Sequence, residues 1–329
     1  MAGFDIPKPR LICILGPTGV GKTGMALELA DQCSGEIVSA DSMQVYRHMD
    51  ICTAKPTLEE RRRIHHHLLD VVDPDEPFDA SRYIELANGV IARLQREKKP
   101  IFVVGGTGLY IRALLGGLID GPGADEVLRR ELKEEMKNFG KEHLYEILRA
   151  RDGRAAAQIH PHDGVRIIRA LEVLELTGRS IVEHQQEHCF REAPYEALRI
   201  GLGLDRERLN DRIDRRTDRM IAEGFVEEVR RLLDMGYGES LKTMQSLGYR
   251  HLVSFLAGRQ SLEEAVRLIK RDTRRYAKRQ MTWFAADRDV VWLDPGDVEG
   301  AATRIGLFLR TQHENADWRV TCAVKISHF

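Results

Sequence analysis

Leu11-Ile12-Cys13-Ile14-Leu15-Gly16-Pro17-Thr18-Gly19-Val20-Gly21-Lys22-Thr23 is the stretch on which the reading of this chain turns. Its first five residues are apolar and predict a buried strand. The next eight fit G-x-x-x-x-G-K-[ST], and Met25, Leu27, Leu29 and Ala30 continue among good helix formers. A glycine-rich turn between strand and helix lets successive backbone N–H groups point inward at a diphosphate, and the helix start adds its positive end. Gly16, Pro17, Thr18, Gly19, Val20, Gly21, Lys22 and Thr23 are therefore the expected diphosphate cradle. In it Lys22 neutralises phosphate oxygens and the Thr23 hydroxyl takes one position on Mg²⁺. The motif is shared with ATP-binding and other nucleotide-binding proteins.

Outward from this loop, strands and helices alternate. Residues 36–40, 68–72 and 101–104 predict strands, and residues 57–64 and 80–97 predict helices, the second capped by Asp79. From residue 125 to about 186 the pattern is helical only: 128–139, 144–149 and 165–176, closed by Gly178. A strand at 198–204 resumes the alternation. Helices at 206–222, 225–233 and 262–284, a strand at 290–293 and a last helix to 309 follow. The expectation is an α/β fold, a P-loop kinase-like parallel sheet with helices on both faces, plus an all-helical insertion domain. Residues 1–117 and 197–329 form the core and 118–196 the insertion. Ligands of such sheets bind at the carboxyl ends of the strands, where Gly16, Asp41 and Gly105 all follow a strand.

The chain as a whole is unremarkable in charge. Its 329 residues are 43% hydrophobic and 31% charged with a net charge of −1, so a polyanion site must come from local clustering. Cys13, Cys33, Cys52, Cys189 and Cys322 are scattered without a C-x-x-C pair, which reads as reduced thiols and not a zinc site. Residues 1–10 carry no signal-peptide core and no run is long enough to span a membrane, so a cytoplasmic protein is expected.

Nucleotide hydrolysis usually needs an Asp at a strand end to hold Mg²⁺. Here the strand at 101–104 ends in Gly105-Gly106-Thr107-Gly108, and Asp294 is expected at an edge of the sheet by its place near the chain's end. Asp41 instead looks like a base aimed at a substrate. In the helix at 262–284, Arg267, Arg271, Arg274 and Lys278 recur at i, i+4, i+7 and i+11. From Arg267 to Arg279 there are seven basic residues and one acid, Asp272, against mixed charge at 206–219. The unbalanced helix is the expected polyanion face. Arg166 and Arg169, three apart, form a smaller set. The adjacent His65, His66 and His67 cannot all face one ion, which excludes a three-histidine metal site.

Together these residues resemble the tRNA dimethylallyltransferase, or tRNA isopentenyltransferase, family. The shared motifs are the glycine loop, Asp41-Ser42-Met43-Gln44-Val45-Tyr46, Thr53-Ala54-Lys55-Pro56, His67-Leu68-Leu69-Asp70 and Val104-Gly105-Gly106-Thr107-Gly108-Leu109-Tyr110. His160-Pro161, Arg169-Ala170-Leu171-Glu172-Val173, Gly248-Tyr249-Arg250 and the run from Thr273 to Gln280 complete them. Cys52 stands where the family pattern has Gly, which would restrict the backbone if a positive φ is needed there.

The resemblance implies transfer of a dimethylallyl group from dimethylallyl diphosphate to N6 of adenine 37 in the tRNA anticodon loop, with Mg²⁺ as cofactor and the enzyme a monomer. It implies catalytic roles for Asp41 as proton acceptor and for Lys22, Thr23 and Arg216 on the leaving diphosphate. It implies tRNA contacts at Asp41, Ser42, Met43, Gln44, Thr107, Arg129, Val165, Arg166, Ile167, Ile168 and Arg169. It adds Gln245, Ser246, Leu247, Gly248, Tyr249 and Arg250, and the basic helix adds Arg274 and Lys278. Ser42 and Met43 serve equally well as turn and packing residues. The target base must leave its stack to be reached, which RNA loops permit. Two other enzymes fit parts of the pattern: an adenylate isopentenyltransferase making free cytokinin, and a P-loop small-molecule kinase. A non-enzymatic RNA-binding module has no use for Lys22-Thr23 beside a strand-end carboxylate.

Overall fold

The computed structural model describes residues 8–118, 121–188 and 193–310. The strands are β1 (Arg10–Leu15), β2 (Glu36–Ser39), β3 (His66–His67), β4 (Ile101–Gly105), β5 (Glu196–Leu202) and β6 (Val290–Leu293). Between them run α1 (Lys22–Gln32), α2 (Leu58–Arg63), α3 (Ala80–Arg96), α4 (Gly108–Gly116), α5 (Glu126–Phe139), α6 (Lys141–Arg151) and α7 (Gly153–Ala156). The series continues with α8 (Gly164–Thr177), α9 (Ile181–His188), α10 (Arg206–Ala222), α11 (Phe225–Asp234), α12 (Tyr249–Leu256), α13 (Leu262–Ala285) and α14 (Val298–Arg310).

The strands form one parallel sheet in the order β3-β2-β4-β1-β5-β6. Leu11 pairs with Ile101, Leu15 with Gly105 and Ser39 with Val104, so β1, β2 and β4 end level with one another. Alternation along the strands gives the sheet two buried faces. Ile12, Ile14, Phe102 and Ile200 pack with α1 and α14 through Met25, Leu29, Ala301 and Ile305. Leu11, Cys13 and Val103 are equally buried, and α3 covers its own side with Tyr83, Ala87, Ile91 and Leu94. Gly105 is obligatory at the end of β4, since a Cβ there would lie 2.1 Å from the Ala40 carbonyl oxygen.

The chain divides into two compact units, one made of residues through Leu114 together with those from Pro194 onward, the other of Leu115–Ala193. The second unit is helical, with Leu144, Leu148, Ile167, Ile168, Leu171 and Val182 in its core.

Three expectations need correction. The strand expected at 68–72 is instead the two-residue β3 at His66–His67, because Leu68 (φ 62°) and Asp70 (φ 55°) take left-handed backbone that no strand continues. Only Val72 returns, in a single bridge to Tyr46. The strand expected at 198–204 lies at Glu196–Leu202. Helices α4 and α12 were not anticipated, and both follow Gly-rich segments that read as loop. The tail after residue 311 and most of the N-terminal stretch lie outside the described residues, as do Cys189 and Cys322.

Candidate active site at the ends of the central strands

The loop after β1 takes its shape from three glycines with positive φ: Gly16 (142°), Gly19 (82°) and Gly21 (112°). Gly21 is the left-handed N-cap of α1, so the first N–H groups of that helix and the side chains of Lys22 and Thr23 meet at one point. Lys22 Nζ donates to the carbonyls of Gly16 (2.9 Å) and Pro17 (2.8 Å), curling back over the loop. Burial, reinforced by the charge of Arg216 and opposed by Asp41, lowers the Lys22 ammonium to about 8.

Asp41 follows β2. Its Oδ1 accepts the backbone N–H of Met43 (2.9 Å) and of Gln44 (3.4 Å), and no other hydrogen bond to the carboxylate forms among the described residues. Thr107, after β4, supports the same turn, its Oγ1 accepting Ser42 N–H at 3.0 Å. Gln44 stitches this loop to the next: its Nε2 donates to the Thr53 and Ala54 carbonyls (3.1 and 3.2 Å) and its Oε1 accepts from Ser39 (3.0 Å). The Gln44 head group is thus committed to its own chain.

Helices α10 and α13 close the site. Arg216 Nη1 donates to Thr18 Oγ1 at 3.3 Å, and burial lowers its pKa, with Asp41 among the charges opposing that shift. Gln280, on α13 and buried, accepts Thr18 N–H through Oε1 (2.8 Å) and donates through Nε2 to the Gly106 carbonyl (2.8 Å). Tyr276 also lines the cavity, and burial, with Asp41 nearby, raises its phenol to about 12.

These groups enclose a cavity of about 330 Å³. Thr18, Lys22, Thr23 and Arg216 form its cationic, hydroxyl-bearing part, and Ile213, Met220, Leu247 and Ile269 supply apolar wall. Asp41 is the single carboxylate among its described lining residues. A cavity with one described acid, two cations and an apolar wall can take a ligand that joins an apolar group to an anion.

Cys52 lines the same cavity and does not need the positive φ its neighbour Ala54 adopts (φ 47°). The Cys52 side chain therefore strains no left-handed turn. The Cys52 thiol contacts the Leu247 carbonyl at 3.5 Å, and burial pushes it up to about 12. It sits against Gly248, where a Cβ would come within 2.3 Å of the sulfur. Beneath this loop the buried Glu228 accepts from Asp50 N–H (2.9 Å), Ile51 N–H (2.8 Å) and the Tyr249 hydroxyl (2.7 Å).

The residues expected to meet tRNA divide sharply by exposure. Val165, Arg166, Gln245, Arg250 and Lys278 are exposed, whereas Ile167 and Ile168 are core residues of the helical unit and their side chains cannot reach RNA. Tyr249 is buried with its hydroxyl on Glu228, and Gly248 is buried beside it. Ser246 and Leu247 line the cavity. In the helical unit Arg129 and Arg169 both lie on the buried Glu172, with Arg129 Nε at 2.7 Å and Arg169 Nη1 at 2.5 Å.

The basic stripe of α13 is largely neutralised. Arg267 pairs with Glu264 (2.7 Å), Lys270 with Asp218 (2.6 Å) and Arg274 with Asp214 (3.0 Å), while Arg250 and Arg271 share Asp272. Asp214 and Asp218 come from α10, so sequence within α13 could not reveal them. His65 and His67, at alternate positions, bring ligand atoms close to Glu36. Glu36 already accepts from His67 (2.6 Å) and pairs with Lys99 and Arg93, and none of the three potential ligands lines the cavity.

The sequence profile described as "IPP transferase" matches residues 44–287. The chain is 59% identical to tRNA dimethylallyltransferase 2 of Syntrophus aciditrophicus, over 93% of its own length and 98% of that protein's. It is 52% identical to the tRNA dimethylallyltransferase of Geobacter metallireducens, over 91% and 97%. Its structure is similar to that of the tRNA isopentenylpyrophosphate transferase from Bacillus halodurans (TM-score 0.68, 40% identity, 93% and 97% covered). It also resembles a eukaryotic dimethylallyltransferase acting on tRNA (TM-score 0.75, 28% identity, 92% and 77% covered). The chain thus belongs to the IPP transferase family, the tRNA dimethylallyltransferases.

Proposed function

We propose that this protein transfers the dimethylallyl group of dimethylallyl diphosphate to N6 of adenine 37 in the anticodon loop of tRNA, releasing diphosphate. The observation that carries the reading is the placement of Asp41 as the single acid among the described lining residues of a cavity that also holds Lys22, Thr23 and Arg216.

The diphosphate seats on the N–H groups of the glycine loop, with the prenyl chain along Ile213, Met220 and Ile269. The exocyclic nitrogen attacks the allylic carbon, its N–C bond forming as the C–O bond breaks and the bonding pair leaves on diphosphate. Asp41 accepts the proton that the amine sheds, and its two backbone hydrogen bonds through Oδ1 fix the carboxylate for that role. Lys22 and Arg216 stabilise the charge growing on the departing oxygens, more strongly than in water because both are drawn out of solvent. Thr18 and Gln280 hold the loop in register with β4. The hard oxygen donors here, the Thr23 hydroxyl and the diphosphate itself, fit Mg²⁺, which would neutralise phosphate charge once bound.

Arg129, Arg169 and Lys278 are proposed RNA contacts, with the helical unit gripping the anticodon stem-loop. The enzyme is proposed to act as a monomer. No helix among the described residues is long and apolar enough to cross a membrane, which accords with action on cytoplasmic tRNA.

The test incubates the protein and Mg²⁺ with labelled dimethylallyl diphosphate and unmodified tRNA, AMP or no acceptor. Label is expected in tRNA alone. Label in AMP but not tRNA would establish the cytokinin-forming alternative, and label in neither acceptor would contradict prenyl transfer altogether.

A further inference from the structure

Helices α10 and α13 divide their charges unevenly. Asp214 and Asp218 of α10 are taken up by Arg274 and Lys270 of α13. What α10 keeps is a stripe of arginines, Arg208, Arg212, Arg215 and Arg219, at i, i+4, i+7 and i+11. A helix that reads as mixed in sequence therefore presents an unbalanced face.

That face lines a second cavity of about 580 Å³ on the P-loop side of α10, reaching Gly19 and Gly21. Lys22 and Arg216 add two more cations, against one carboxylate, Asp211. Arg212 is anchored by the Val20 carbonyl at 2.8 Å, and Arg208 lies 3.6 Å from Asp294 and 3.7 Å from Asp205. Arg215 makes one 3.4 Å bond to the Asp211 carbonyl, and among the described residues neither Arg215 nor Arg219 has an ion pair. Lys22, Thr23 and Arg216 line both cavities, so the two meet at the phosphate end of the site.

We propose that this arginine-lined cavity is a second anion site that captures the diphosphate end of the prenyl donor before it seats in the P-loop, and receives the diphosphate product afterwards. The proposal rests on the P-loop as the diphosphate seat. Unpaired guanidinium groups lining a concavity concentrate anions and speed their capture, and each offers a two-pronged donor that matches a phosphate. The cavity's continuity with the P-loop favours a small diphosphate over an RNA backbone.

Titration calorimetry with inorganic pyrophosphate on the full chain tests this. Arg215→Ala/Arg219→Ala should weaken binding by about tenfold and flatten its salt dependence, with Arg215→Lys/Arg219→Lys recovering most of the affinity. In the transfer assay the alanine pair should lower kcat/KM for dimethylallyl diphosphate by a similar factor, with kcat and the KM for tRNA changing much less. Should the alanine pair fail to fold, Arg219→Gln alone carries the same test. Unchanged pyrophosphate affinity overturns the proposal, as does a loss confined to the KM for tRNA, which would assign the face to RNA. Comparing Lys22→Ala with the arginine pair separates the two readings. Loss of pyrophosphate binding in Lys22→Ala but not in the arginine pair keeps the P-loop seat and overturns the second site, whereas wild-type binding in Lys22→Ala overturns the seat itself.

Discussion

Gln280 and Thr18 are joined across 262 residues of sequence, the Gln280 Oε1 accepting the Thr18 backbone N–H at 2.8 Å while Nε2 of the same amide holds the Gly106 carbonyl. One side chain from α13 thus couples the phosphate loop to the end of β4. A rigid loop is what a diphosphate seat requires, since its N–H groups must already converge when the ligand arrives.

Replacing Gln280 by Ala removes both bonds and leaves the Gly106 carbonyl without this partner in a buried setting. A lost buried hydrogen bond of this kind costs about 1–3 kcal/mol. The KM for dimethylallyl diphosphate should rise about 5- to 150-fold if that cost falls on the seated loop. Direct binding should show tRNA affinity nearly unchanged. Equal weakening of both substrates would mean that Gln280 supports the fold and not the loop.

The lowered pKa of Lys22 gives the enzyme an alkaline limit. In the proposed mechanism the cationic form binds the diphosphate, and in the free enzyme it is lost as pH rises through about 8. A plot of kcat/KM for the prenyl diphosphate, which reports the free enzyme, should therefore fall on the alkaline side with an apparent pKa near 8. The plot of kcat should stay flat to higher pH, because the bound diphosphate holds the proton on Lys22. Identical alkaline limbs in the two plots would assign the titration elsewhere.

Lys278 and Arg274 lie on one stripe but differ in their neighbours. Lys278 is exposed, whereas Arg274 is half-buried and paired with Asp214 at 3.0 Å. Lys278→Ala should reduce the salt slope of tRNA binding by about one. Arg274→Ala should change it less, and Asp214→Asn should steepen it by releasing the arginine. Filter binding across a salt series measures all three, and equal slopes for the wild type and Lys278→Ala would show that this lysine is merely solvated.

The strand-loop-helix and the strand-end aspartate were legible because each is written in contiguous residues whose spacing carries the chemistry. What could not be read was set by partners far away in sequence. The stripe on α13 looked unbalanced because its acids, Asp214 and Asp218, sit on another helix. Gln280 ended a basic motif and gave no sign that its amide enters the site. Ile167 and Ile168 were swept into a run of expected RNA contacts although helical periodicity turns them inward, opposite Val165 and Arg166. Leu68 and Asp70 hid a left-handed turn in an apolar run, where Asp70 binds Lys55 (2.6 Å) and Arg61 (2.7 Å).

In the proposed mechanism transfer depends on Asp41 as the acceptor of the amine proton. Single-turnover transfer of labelled dimethylallyl to saturating tRNA, measured beside the tRNA dissociation constant, compares the wild type with Asp41→Ala and Asp41→Asn. Both variants should lose about 10²–10⁴-fold in transfer rate while binding tRNA and pyrophosphate nearly as before. Transfer at wild-type rate, or a loss that merely tracks weakened tRNA binding, would contradict it.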